Sequence, residues 1–357
     1  MIDQTLITKD WLTKVAKENR NADKILVEKV IRALLLLEGL VKQKIKFVFK
    51  GGTALMLLLN STKRLSIDID IILPESPGNL EDILDAAAKE QGFSRKVLQH
   101  RITQTDIKKE HYKYFYTPIH KSKGEEDSVL LDILFEEVKY SNVIHIPIQS
   151  SFIPLDTKPL LVDVPCFEDI LGDKLTAFSP NTTGIPYFKK EDSMSMEIIK
   201  QLYDIGNLFD VISNTEILKS TFYKFAAQEL VYRNQVNTKE GDVLEDIFQT
   251  SLCIVTRGSD GKGDFNKLLE GIQRVSRFIF SESYHLDKAI TSASKAAYLS
   301  VLIKFDSKSI EKFKDPMQVK DWSISPPMNT KLNRLKKSNP EAFFYWYKIF
   351  KLSNLRE

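Results

Sequence analysis

The sequence predicts an α+β protein: a mixed β-sheet flanked by helices, followed by a C-terminal α-helical domain. Three observations predict it. Polar/apolar alternation and short apolar runs, both read as strands, recur before residue 165. After Pro165 the apolar spacing becomes helical almost throughout. A length of 357 residues suits two domains at about 100–200 residues each. The expected division is 1–165 for the sheet domain and 166–357 for the helical one.

Residues 21–42 carry dense helical apolar spacing and read as one long helix. The apolar run Ile45–Phe49 reads as a strand that leads through Lys50 to Gly51-Gly52. Thr53–Leu59 reads as a short helix. The stretch SIDIDIIL, Ser66–Leu73, has the period-two alternation of a strand until Pro74 breaks it. Leu80–Gln91 reads as a helix. Phe93–Thr103, His111–His120, Ser128–Val138 and Val143–Ile153 read as further strands. In the second half, helices are expected over Phe167–Ala177, Glu197–Ile212, Ile217–Arg233, Asp242–Arg257, Asp264–Phe280 and Leu286–Ile303. A last helix, Pro340–Ser353, follows Asn339 as N-cap, with Pro340 in the first turn where proline is tolerated. Two loops stand out: Ser179–Ser195, read as either a lid or a surface insertion, and the proline-bearing Lys314–Thr330.

Composition excludes several classes. Lys plus Arg total 51 against 48 Asp plus Glu, so the chain is neither grossly basic nor an acidic disordered chain. The longest apolar runs fall far short of the ~20 residues a membrane helix needs, and the charged N-terminus lacks an apolar signal core. Two cysteines without CxxC spacing suit a reduced, cytoplasmic protein. Five scattered histidines give no HxxxH or HExxH pair, which speaks against a zinc enzyme.

The chemistry concentrates in Lys50–Asp70, KGGTALMLLLNSTKRLSIDID. A strand enters Gly51-Gly52, a helix starts at Thr53, and a second strand delivers Asp68 and Asp70. Residues i and i+2 of a strand share a face, with Cα atoms about 7 Å apart at most. Two carboxylates so placed repel unless a cation lies between them. Mg²⁺ is held by one or two carboxylates plus substrate phosphates. Glycines let the backbone approach phosphate oxygens, and a helix start offers N–H groups and positive potential. Lys50, Lys63 and Arg64 add cationic charge. The bland reading, a turn followed by a solvated strand face, must explain all of these at one spacing. A third carboxylate, Asp132, lies in the otherwise apolar SVLLDILFEEV. Leu130 and Leu134 flank it on its own parity and point to burial, where a carboxylate is costly unless paired or metal-bound.

These residues resemble the core of the DNA polymerase β-type nucleotidyltransferase superfamily: a GG or GS turn, a DxD pair on the next strand, and a carboxylate on a later strand. More narrowly, KGGTAL and RLSIDID resemble the AbiEii/AbiGii toxin family of type IV toxin–antitoxin systems, with MenT-type tRNA-modifying toxins as relatives. Lys50, Gly51, Gly52, Thr53, Leu55, Arg64, Ser66, Asp68 and Asp70 fit its first motif. The second motif, a D/E-K-L-x-A helix and a later R-D-L-Y-D-L, is matched by Asp173-Lys174-Leu175-Thr176-Ala177 and Leu202-Tyr203-Asp204-Ile205. Lys200-Gln201 stand where that family carries Arg-Asp.

The resemblance implies a nucleotidyltransferase-fold first domain, with the helical domain completing the cleft. It implies transfer of a nucleoside monophosphate from an NTP to an acceptor hydroxyl, with release of pyrophosphate. Asp68, Asp70 and Asp132 would hold Mg²⁺ or Mn²⁺. Lys50, Gly51, Gly52, Thr53, Arg64, Ser66 and Lys174 would bind the nucleotide. Asp204 would act at the cleft as base or positioning group. The expected acceptor is RNA, especially the 3′ end of tRNA, in an abortive-infection setting. GTP, CTP and UTP stay open as donors. An encoded antitoxin is expected without a stable complex, and no membrane partner. A protein or small-molecule acceptor, a non-catalytic nucleotide- or RNA-binding homologue, and a helical half serving only to bind a partner remain the alternatives. The segment 331–357 has seven Lys or Arg against two Glu and the run Phe343–Tyr347. It reads either as charge and stacking groups for RNA or as core packing beside a solvated face.

Overall fold

The computed structural model describes residues 1–59, 63–99, 108–120 and 125–354. The expected strand Phe93–Thr103 and the tail of 331–357 lie partly outside them. The chain forms two compact units: Met1–Cys166 with Phe278–Ser283, and Phe167–Arg277 with Tyr284–Glu357.

The first unit opens with α1 (Lys9–Glu18) and α2 (Lys24–Lys42), the latter capped by the Asp23 carboxylate on Ile25 N–H at 2.7 Å. There follow β1 (Val48–Lys50), α3 (Gly51–Leu58), β2 (Asp68–Ile72), α4 (Leu80–Glu90), β3 (Arg95–Leu98), β4 (Lys109–Tyr116) and β5 (Asp127–Leu134). The five strands make one sheet in the order β1-β2-β5-β4-β3. Only β2 and β5 run parallel; the other pairs are antiparallel. Strand parity sorts the two faces. Ile69, Ile71, Val129, Leu131, Ile133, Tyr112 and Tyr114 are buried in one core with Val27, Val30, Ile31 and Leu34 of α2. Asp68, Asp70, Leu130, Asp132 and His111 take the opposite parity, which is half-buried. A separate pair, β6 (Val143–Pro147) with β7 (Leu161–Pro165), completes the unit.

Two carboxylates sit inside the apolar α2. Glu38 accepts from Ile2 N–H at 2.8 Å and pairs with Lys42. Glu28 accepts from Ile119 N–H at 2.9 Å and from His120. Buried charge is tolerated where donors are supplied in this way.

The second unit is helical, as its spacing predicts: α5 (Phe167–Ala177), α6 (Ser195–Val211), α7 (Thr215–Tyr232), α8 (Glu240–Val255), α9 (Phe265–Val275), α10 (Leu286–Lys304), the short α11 (Leu335–Ser338) and α12 (Pro340–Asn354). Helix α10 is buried along nearly its whole length and packs on α6, α8 and α12. Asn339 caps α12, its side-chain oxygen accepting from Ala342 N–H at 3.1 Å. Ser179–Ser195 is an ordered turn with a small hairpin, β8 (Phe188–Lys189) and β9 (Asp192–Ser193). The buried Asp246 of α8 pins it, accepting from Asn181 N–H, Asn181 Nδ2 and Thr182 Oγ1 at 2.6–2.9 Å.

The aromatic run of α12 is core. Phe343, Phe344, Tyr345 and Trp346 are buried, and Trp346 Nε1 donates to Ser294 Oγ of α10 at 2.9 Å. Tyr347, half-buried, stacks on Trp322 at 4.4 Å. These rings are spent on packing, which removes the base-stacking reading, while Lys331, Arg334 and Lys337 remain exposed. Among the described residues no helix is long and apolar enough to cross a membrane.

Candidate active site

The Gly51-Gly52 turn is shaped by what stands against it. Gly51 has φ +82°, a left-handed conformation that favours glycine, and a Cβ placed there would lie 2.2 Å from Asp70 Oδ2. A Cβ on Gly52 would lie 2.6 Å from Ser66 Oγ and 2.7 Å from Arg64 Nη2. The turn therefore fits only without side chains, and it brings Arg64, Ser66 and Asp70 against the start of α3. The first-turn N–H groups of a helix lack intrahelical acceptors and carry positive potential. Lys50, at the N-cap, spends no side-chain bond on capping. Thr53 is fully buried, and its hydroxyl donates to the Asp68 carbonyl at 2.6 Å. That hydroxyl fastens α3 to β2, so any contact of Thr53 with a nucleotide would fall to its backbone.

Register gathers the charged groups in one row across the sheet. Lys50 pairs with Asp70, Asp70 with Asp132, and Asp132 with His111. Asp68 stands two residues before Asp70 on the same face. His111 Nδ1 lies 2.7 Å from Asp132 Oδ1. The Asp132 side chain is 30% exposed. The burial expected from Leu130 and Leu134 is thus corrected: those residues are half-buried on the site face, and the core parity is Val129, Leu131 and Ile133. What places Asp132 in the site is its register with Asp70. Carboxylate oxygens on neighbouring strands are the hard donors Mg²⁺ takes, and one or two carboxylates with nucleotide phosphates suffice for it. No group of three or more His, Cys, Asp or Glu is gathered as a ready-made metal cage among the described residues.

Arg64 is held by a segment distant in sequence. It is buried, with Nη1 on the Leu65 carbonyl at 3.3 Å, and forms an antiparallel bridge with Ile279. Leu65 N–H donates to Phe278 O at 2.8 Å, and Ser281 Oγ to Lys63 O at 2.8 Å. The helix expected over Asp264–Phe280 ends at Val275, which frees residues 278–283 for this task.

In the second unit, Lys174 of α5 and Asp204 of α6 meet. Their charged groups lie 2.7 Å apart with side chains 8% and 3% exposed. Lys174 Nζ also donates to Gln201 Oε1 at 3.1 Å. Neither is a solvated helix charge. Lys200 pairs with Glu197 at 2.8 Å.

One neighbour of the row was not foreseen from sequence: His111. Its place opposite Asp132 depends on the register of β4 on β5, which pairs these two residues 21 positions apart in the chain.

Comparison with known proteins adds four findings. The family described as "Nucleotidyl transferase AbiEii toxin, Type IV TA system" matches residues 35–274. The crystal structure of JHP933 from Helicobacter pylori is similar over 79% of this chain and 93% of its own, at 17% identity and a TM-score of 0.42. MenT4, a nucleotidyltransferase toxin from Mycobacterium tuberculosis H37Rv, is similar over 66% of this chain and 76% of its own, at 14% identity and a TM-score of 0.43. No curated protein matches the sequence.

Proposed function

Because the chain belongs to the AbiEii nucleotidyl transferase toxin family of type IV toxin–antitoxin systems, we propose that it transfers a nucleoside monophosphate from an NTP to an acceptor hydroxyl, with Asp68, Asp70 and Asp132 at the reacting centre. The observation that carries this reading is the row in which Asp70 stands between Gly51 and Asp132. A glycine turn with helix N–H groups suits phosphate oxygens, and the adjoining carboxylates suit a divalent ion.

In this reading the phosphates lie against Gly51, Gly52 and the backbone of Thr53, with Lys50, Arg64 and Ser66 around them. Mg²⁺ or Mn²⁺ held by the three aspartates would neutralise charge developing on the phosphates. The acceptor oxygen bonds to the α-phosphorus, the bond to the β-phosphate oxygen breaks, and pyrophosphate leaves. Asp132 takes the proton from the acceptor hydroxyl. On the family's second motif, Lys174 and Asp204 are assigned to the same reaction, Lys174 as a nucleotide-binding cation and Asp204 as a positioning group. The acceptor is RNA, with the tRNA 3′ end as first candidate, and the antitoxin counters the effect without a stable complex.

Incubation with total RNA, each labelled NTP in turn and Mg²⁺ tests this. One nucleotide is expected to label an RNA band, while label in protein or in small molecules would reassign the acceptor. Asp68→Ala and Asp70→Ala are expected to abolish labelling with the circular dichroism spectrum intact. An Asp68→Ala protein that still incorporates label removes the assignment.

A further inference from the structure

The row Lys50–Asp70–Asp132–His111 ends on a side chain to which the motifs assign nothing. His111 stands directly opposite Asp132 in the antiparallel β4–β5 ladder, which runs unbroken from Lys109 to Tyr116. Side chains so paired have Cβ atoms about 4.5–5.5 Å apart, close enough for the 2.7 Å contact between Nδ1 and Oδ1. An ionised carboxylate only accepts hydrogen bonds, so the proton of this contact is on His111 Nδ1. His111 is 13% exposed and Asp132 30%, so the donor is the more enclosed partner. The strands already pair over eight registered positions, so the sheet does not need this bond to hold together.

We propose that His111 is the positioning residue of the third carboxylate. Its Nδ1–H holds Asp132 Oδ1 and fixes the carboxylate rotamer, leaving Oδ2 as the oxygen for a divalent ion and the acceptor proton. The reason is electrostatic as well as geometric. Asp132 lies beside Asp70, and two neighbouring carboxylates without a cation favour turning apart. A rigid donor on the far strand holds Asp132 in place before the ion arrives. Hydrogen bonds to metal-binding carboxylates commonly carry about 10–100-fold in metal affinity or activity. The inference rests on the reading of Asp132 as a metal-binding residue.

The test uses the full chain. His111→Ala and the bulkier His111→Leu remove the donor; His111→Asn keeps an N–H donor in the place of Nδ1. Mn²⁺ binding is followed by electron paramagnetic resonance without nucleotide, and the Mn²⁺ dependence of label incorporation is measured beside it. Loss of about 10–100-fold in Mn²⁺ affinity is expected for Ala and Leu, with recovery in Asn. Wild-type Mn²⁺ affinity in folded Ala and Leu variants, while Asp132→Ala loses the ion, overturns the role of His111 and leaves the Asp132 reading standing. Unchanged affinity in Asp132→Ala itself overturns that reading and this inference together. An Asn variant as weak as Ala overturns the N–H donor as the cause.

Discussion

Gly51 carries two constraints at once: a left-handed backbone and the Asp70 carboxylate where a side chain would be. Gly51→Ala must therefore strain the turn and push Asp70 aside. A cost of about 1–3 kcal/mol is expected for the backbone, read as a lower denaturation midpoint, together with loss of label incorporation. Wild-type turnover in this variant would contradict the close fit. The turn was legible in sequence because glycines and aspartates lie within one strand–helix–strand stretch, where local spacing fixes geometry. Asp132 was legible as a misplaced carboxylate, but its face was misjudged: two leucines on one parity do not reveal which side of a sheet the helices cover. His111 was not legible, since its meaning comes from a partner strand.

Among elements, α5 and α6 are joined by a buried charge pair, Lys174 with Asp204. Removing one partner leaves the other charge buried, at a cost of about 3–5 kcal/mol. Lys174→Met or Asp204→Leu alone should lower thermal stability strongly, and the double variant less. The double variant is expected to fold and to lose nucleotidyl transfer; a folded double variant with wild-type turnover would confine the pair to structure. The long helices of the second half were read within two residues of their ends from their apolar spacing, except α9, whose expected end at Phe280 overshot Val275, and the four-residue α11 was not read. Others escaped. Helix α1 is heavily charged, which masks the buried stripe of Leu12, Val15 and Ala16. Strand β7 is short and finds its partner in β6. The donors that satisfy the buried carboxylates Glu28 and Glu38 of α2, namely Ile2, Ile119 and His120, come from outside the helix, so its own apolar spacing does not reveal them.

For the whole molecule, the C-terminal segment is structural. Phe343, Phe344, Tyr345, Trp346 and Ile349 are all buried, and losing one large aromatic from a core costs about 3–5 kcal/mol. A chain ending at Thr330 is thus expected to lose the cooperative melting of the helical unit, followed by calorimetry; an unchanged melting profile would show that α12 is dispensable. Testing RNA contact here calls for charge substitutions at Lys331, Arg334 and Lys337, which leave the packing alone. The α+β architecture was legible because the two kinds of period change over near Pro165. The return of residues 278–283 to the sheet unit was not, because six residues carry no period of their own.

That return has a consequence in time. Lys63 and Ser281 are 218 positions apart. At a synthesis rate of about 5–20 residues per second, roughly 10–40 s separate the emergence of the Arg64 loop from that of the segment that fastens it. The motif is translated early and finished late. Until residues 278–283 have been made, Leu65 N–H lacks its Phe278 acceptor and the Lys63 carbonyl lacks the Ser281 hydroxyl, so the loop that carries Arg64 is shaped only after most of the chain exists.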